Sequence, residues 1–206
     1  MIDTETEHRL ETDGIQYDIL TRAIEAVPAI PGLFLEIGTR RGGSMQIIID
    51  AALSTGQNRT FVSVDPYGNI PYNDRDGNVA KYDYTNAMKT AALRDLYGYA
   101  HEKGVNLITF TLTDREFFSA FKKGVPVYNE TVWRHNEYAF AFLDGPHDTD
   151  SVKHELAFFA DRMHGGAQIV IDNYPFFDLE KVVSYAEVIG FKFVEKNDQK
   201  IRLCKV

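Results

Sequence analysis

The chain has 206 residues, 44% hydrophobic and 25% charged, with a formal net charge of −8 and one cysteine, Cys204. That length predicts one domain with a full core, and a lone cysteine excludes an intrachain disulfide or a thiolate zinc site and points to a reducing, cytoplasmic setting. No run approaches the roughly 18 apolar residues of a membrane span, the polar start MIDTETEHRLETDG is not a signal peptide, and the negative charge argues against a nucleic-acid partner.

Residues 1–14 carry Asp3, Glu5, Glu7, Glu11 and Asp13 against Arg9, a balance of −4. Half of the net charge is thus expected in an acidic N-terminal tail outside the core, with no chemistry of its own. Apolar residues Ile15, Ile19, Leu20, Ala23, Ile24 and Val27 then recur at helical spacing. Asp13 is the expected N-cap, and Pro28, Pro31 and Gly32 stop the helix. LFLEIG (33–38) reads as a buried strand, 44–56 as a helix ending at Gly56, and TFVSVD (60–65) as a second strand.

Residues 66–83 are rich in Gly, Pro, Asn, Asp and Tyr without a period, which predicts a long loop or flap. A helix at 84–104, a strand at 106–112 and a short helix at 114–123 follow. Residues 124–137 read as a second irregular insertion. Strand 138–144, helix 149–166, strand 167–172 and helix 178–190 lead to a terminal hairpin, FKFVEK and KIRLCKV. Alternation of this kind predicts an α/β domain with a mostly parallel sheet, helices on both faces and an antiparallel pair at the end. The whole chain, 1–206, reads as one domain. Its two insertions, with Tyr67, Tyr72, Tyr82, Tyr84, Tyr128 and Trp133, are expected to form a lid and an aromatic wall.

Ligands of such sheets bind outside the carboxyl ends of the strands. Those ends are Glu36-Ile37-Gly38, Asp65-Pro66, Thr113-Asp114, Asp144-Gly145 and Asp172-Asn173. Asp, Asn and Gly are common in turns, but acids at all five exits repel one another unless something uses them. In EIGTRRGGS, Gly38 permits a sharp turn, Gly42 and Gly43 open the next helix, and Ser44 is placed to cap it, leaving amides for an anionic group. The G-x-x-x-G spacing weakens a dinucleotide reading. Asp65, 27 residues past Gly38, is placed for ribose hydroxyls.

This pattern, ExGxxxGxS with an Asp at the second strand end, resembles class I S-adenosylmethionine-dependent methyltransferases over residues 33–206. The resemblance implies a Rossmann-like seven-stranded sheet with a C-terminal antiparallel hairpin. It implies that Glu36, Gly38, Thr39, Gly42 and Ser44 surround the methionine part of the cofactor. Asp65 would take the ribose and Thr113 and Asp114 the adenine edge, with Arg40, Tyr67 and Asp144 also at the cofactor.

Asp144 and Asp172 lie 28 residues apart and end neighbouring strands. Strands about 4.8 Å apart let both carboxylates reach one ion, and Asp144, Asp172 and Asn173 offer three hard oxygen donors suited to Mg²⁺. The spacing is similar to catechol-type O-methyltransferases, and DGPH to macrocin-type enzymes. Plain roles stay open: Asp144 as a helix cap, Asp172-Asn173 as a turn. Catechol-type enzymes place a lysine base three residues after the first metal aspartate; His147 stands there, as base or as a positioning group. His154 and His164 read as helix-surface residues, and the Asn129 sequon carries no weight. The expected activity is methyl transfer to a hydroxyl of a small molecule, without nucleic-acid or membrane partners and with the oligomeric state open. The alternatives are a metal-independent methyltransferase, a nucleotide-dependent oxidoreductase and a non-catalytic nucleoside-binding module.

Overall fold

The structure, a computed structural model, describes residues 10–12, 14–129 and 131–206. In chain order the elements are α1 (Asp18–Glu25), β1 (Leu33–Ile37), α2 (Gly43–Ser54), β2 (Thr60–Val64), β3 (Pro71–Arg75) and β4 (Asn78–Lys81). Then come α3 (Asn86–Glu102), β5 (Asn106–Phe110), α4 (Asp114–Ala120), β6 (Val125–Asn129), β7 (Thr131–His135) and β8 (Tyr138–Leu143). The chain ends with α5 (Thr149–Ala160), β9 (Gln168–Ile171), a 3₁₀ turn (Tyr174–Phe176), α6 (Leu179–Val188), β10 (Phe191–Lys196) and β11 (Ile201–Lys205).

All five residues of β1 and all six of β8 are buried, because the sheet is covered on both faces. Leu33, Leu35 and Ile37 of β1 join a core with Phe117 of α4, Leu156 of α5 and Val182 of α6. Phe34 joins the opposite core with Leu20 of α1, Ile48 of α2 and Leu96 of α3. The seven-stranded sheet runs β10-β11-β9-β8-β1-β2-β5. It is parallel from β5 to β9, and β11 is antiparallel to both of its neighbours. Among the described residues no helix is long and apolar enough to cross a membrane.

Four local expectations change. Asp13 lies outside the described residues, and α1 begins only at Asp18, after Gln16 at φ 59°. Ile15, assigned to the apolar face, is therefore exposed. Residues 66–83 hold the hairpin β3–β4, turned at Asp76-Gly77-Asn78, and 124–137 hold the hairpin β6–β7. His164 lies beyond the end of α5, its Nε2 3.1 Å from Glu137. Of the expected tail, residues 1–9 and 13 lie outside the described residues; Leu10 is buried, and its amide donates to Gln46 Oε1 at 2.7 Å.

Candidate active site at the carboxyl ends of the sheet

The chain leaves β1 for β2 and β5 on one side and returns through β8 on the other, so the switch point lies between β1 and β8. Backbone bonds carry the ladder past the strand ends. Gly38 donates to Val64 at 2.9 Å, Asp65 to Phe110 at 3.0 Å, Asp144 to Ile37 at 2.9 Å and Asp172 to Leu143 at 2.9 Å. The exits are thereby held level around a cavity of about 410 Å³.

One end of the cavity is lined by Gly38, Arg40, Asp65, Tyr67, Thr113 and Asp114. Gly38 sits at φ +88°, where a left-handed backbone suits glycine. Arg40 and Tyr67 also have positive φ, and Asp65 explains both. Its Oδ2 accepts from the Arg40 amide at 2.8 Å and its Oδ1 from the Tyr67 amide at 2.7 Å. The Tyr67 hydroxyl donates to the Arg40 carbonyl at 2.9 Å; burial, then Asp65 and Glu36, push its pKa up and keep it protonated. Asp114 is buried at the start of α4, and burial raises its pKa. Thr113 caps that helix in a capping box with Glu116.

Four other residues expected around the cofactor, Glu36, Thr39, Gly42 and Ser44, do not border this cavity. The Ser44 hydroxyl donates to Glu36, so Ser44 does not cap α2, whose N-cap is Gly42 in the left-handed region. Thr39 Oγ1 bonds Ser63 Oγ, tying the loop to β2. Glu11 joins the same scaffold, pairing with Arg41 and lying 3.7 Å from Arg40.

The other end gathers Asp144, His147 and Asn173. His147 is buried, with Nε2 3.7 Å from Asp144 Oδ1 and 3.2 Å from Asn173 Nδ2. Asp144 does not cap α5; Asp148 does, accepting from the amides of Asp150 and Ser151. Asp172 departs from the expected metal set. It does not line the cavity, and its Oδ1 meets the Nζ of fully buried Lys200 at 3.0 Å. With one oxygen of that carboxylate held by a buried ammonium, a divalent ion there would meet a like charge, and Asp144, Asp172 and Asn173 fit a three-oxygen Mg²⁺ site poorly. Among the described residues no three His, Cys, Asp or Glu side chains converge on a metal position.

The β3–β4 hairpin forms the wall over this end, with Ile70, Tyr72, Asp74, Tyr82 and Tyr84 facing the cavity. Tyr82 and Tyr84 stack with centroids 6.2 Å apart, and Tyr72 lies 5.6 Å from Tyr82. The Asn73 carbonyl accepts the His147 amide at 2.9 Å. Asp76 accepts from the Thr149 amide at 2.7 Å and hydroxyl at 2.6 Å, clamping the hairpin to α5. The Asp76-Gly77 pair was a readable turn signal for this hairpin; Lys200 had no comparable signal. Tyr128 and Trp133 belong to the other hairpin. They are exposed and absent from the cavity lining, so among the described residues the first insertion lines the site and the second does not.

Sheet order, switch-point cavity and exit acids define a class I S-adenosylmethionine-dependent methyltransferase. Residues 35–174 match the family described as "Methyltransferase domain", and the chain belongs to that family. No curated protein matches the sequence. Among solved structures, it is similar to the calicheamicin methyltransferase CalS11 at 14% identity, covering 91% of this chain and 76% of that one, with a TM-score of 0.54. It is similar to the O-methyltransferase TomG from Streptomyces achromogenes at 12% identity, with 96% and 82% covered and a TM-score of 0.55. An rRNA methylase from Streptococcus thermophilus matches at 11% identity, with 95% and 99% covered and a TM-score of 0.53. At these identities the likeness is one of fold.

Proposed function

We propose that this methyltransferase acts on a hydroxyl of a small molecule bound between His147 and the β3–β4 hairpin. One observation carries the reading: a single cavity joins the Gly38–Asp65–Asp114 surface to Asp144, His147 and Asn173. Gly38, the Arg40 loop and Asp65 fit the amino-acid and ribose parts of S-adenosylmethionine, and Asp114 fits the adenine edge. When bound, that cofactor supplies an electrophilic methyl group on a sulfonium.

The acceptor oxygen must lose its proton. A phenol of pKa about 10 is ionised only roughly one part in a thousand at pH 7, a deficit of about 4 kcal/mol. His147 lines the cavity and takes that proton, and Asp144, 3.7 Å from its Nε2, stabilises the imidazolium formed. In the neutral state the Asn173 amide donates to Nε2 and orients the ring; once Nε2 is protonated it exchanges that contact for Asp144. The tyrosine wall suits a flat acceptor, which it can hold by stacking. The net charge of −8 favours a small acceptor over RNA, and O-methyltransferases among the structural relatives agree with transfer to oxygen.

Calorimetry with S-adenosylmethionine tests the first half; absence of heat ends the proposal. Transfer of a labelled methyl group to a panel of phenols and hydroxylated sugars tests the second. His147→Ala should retain cofactor affinity and lose turnover about 10²-fold or more. Full turnover in that variant would remove His147 as the base.

A further inference from the structure

We infer that the Lys200 ammonium is a resident cation at the end of β9, standing where a divalent ion would need Asp172, and that it positions His147 through Asp172 and Asn173. This goes beyond the methyl-transfer reading and does not depend on the acceptor. Lys200 is fully buried, at 0% exposure. Its Nζ lies 3.0 Å from Asp172 Oδ1, donates to the Ile15 carbonyl at 3.0 Å, and sits 4.4 Å from the Tyr17 ring centroid. Carboxylate, carbonyl and aromatic face together satisfy a desolvated ammonium.

The position is built into the hairpin turn. The Lys200 amide donates to Asn197 Oδ1 at 2.7 Å, and the Asn197 amide donates to the Lys200 carbonyl at 3.0 Å. The same Asp172 Oδ1 accepts the Asn173 amide at 2.8 Å, at a residue held at φ 51°. Asn173 then places Nδ2 3.2 Å from His147 Nε2. A fixed positive charge thus sets Asp172, Asp172 sets the Asn173 backbone, and Asn173 sets the imidazole. A divalent ion at Asp172 would have to displace this ammonium or bind the same carboxylate through Oδ2, against like-charge repulsion.

Mn²⁺ is the probe for the cation, and the nitrogen resonances of the His147 ring report the relay. Paramagnetic resonance of the full chain titrated with Mn²⁺ should show no stoichiometric bound ion. Lys200→Ala should move the His147 resonances, and propylammonium, which refills the vacated space with a charge, should return them. Asp172→Asn should move them without rescue, and it serves alone if Lys200→Ala does not fold. The inference is overturned by one Mn²⁺ per chain bound in the wild type and lost in Asp172→Asn. It is equally overturned by His147 resonances that ignore both substitutions. Failure to bind S-adenosylmethionine would end the functional proposal and leave both of these readouts intact.

Discussion

The backbones of Gly38 and Asp144 touch: a Cβ built on Gly38 would fall 1.9 Å from the Asp144 carbonyl oxygen. The two residues end neighbouring strands β1 and β8, and the Asp144 amide donates to Ile37, one residue before that glycine. The contact closes the floor between the proposed cofactor surface and His147.

Gly38→Ala is accordingly predicted to cost about 3 kcal/mol or more, combining left-handed strain with a backbone overlap that no side-chain motion relieves. Gly56 is the control. It also has positive φ, +73°, but no other described residue lies within 4 Å of an added Cβ. Gly56→Ala should cost about 1 kcal/mol. Urea unfolding compares them, and equal losses would refute the close approach.

Asp65 should govern the cofactor loop. Asp65→Ala removes the acceptor for two backbone amides at residues of positive φ. Each charge-assisted bond is worth about 1.5 kcal/mol or more, so S-adenosylmethionine affinity should fall about 100-fold by calorimetry. Asp65→Asn, which keeps one acceptor oxygen, should fall less.

Glu155 should make stability depend on pH. It is completely buried beside Asp114 and Asp148, and burial, with those carboxylates adding, raises its pKa well above the usual range. Below the unfolded value of about 4.3 both states are protonated. Above it the unfolded chain releases the proton while the fold keeps it, so stability falls as pH rises toward the folded pKa. Glu155→Gln stays neutral in both states. Relative to wild type it should gain stability as pH rises above about 4.3, as read by urea melts; a parallel pair of curves would contradict this.

The two hairpins should separate in function. Trp133 is 65% exposed and outside the cavity, so Trp133→Ala should change stability by no more than about 0.5 kcal/mol and leave methyl transfer intact. Tyr72 lines the cavity against Tyr82. Tyr72→Ala should weaken turnover of an acceptor found in the methyl-transfer panel while holding cofactor affinity within about threefold. Matching effects from both variants would contradict the assignment of the wall to β3–β4.

Much of this was legible locally. Apolar runs without alternation mark strands buried on both faces, glycine and proline punctuation marks their ends, and the alternating order of strands and helices dictates a parallel sheet. The exits therefore fell where the reading put them, and Gly38, Asp65, Asp114, Asp144 and His147 all reach the cavity. Side-chain partners across space were not legible. Glu36 and Ser44, expected around the methionine part of the cofactor, bond to each other, a pairing their positions eight residues apart did not announce. Hairpin β6–β7 lies away from the cavity because α4 first carries the chain back toward the start of β8, whereas β3–β4 emerges directly from the carboxyl end of β2. Asp172 was placed correctly at its strand end, but its partner came from a turn 28 residues later. A buried carboxylate takes whichever positive charge the fold brings to it, and only the packing of the terminal hairpin against β9 brings Lys200 to Asp172.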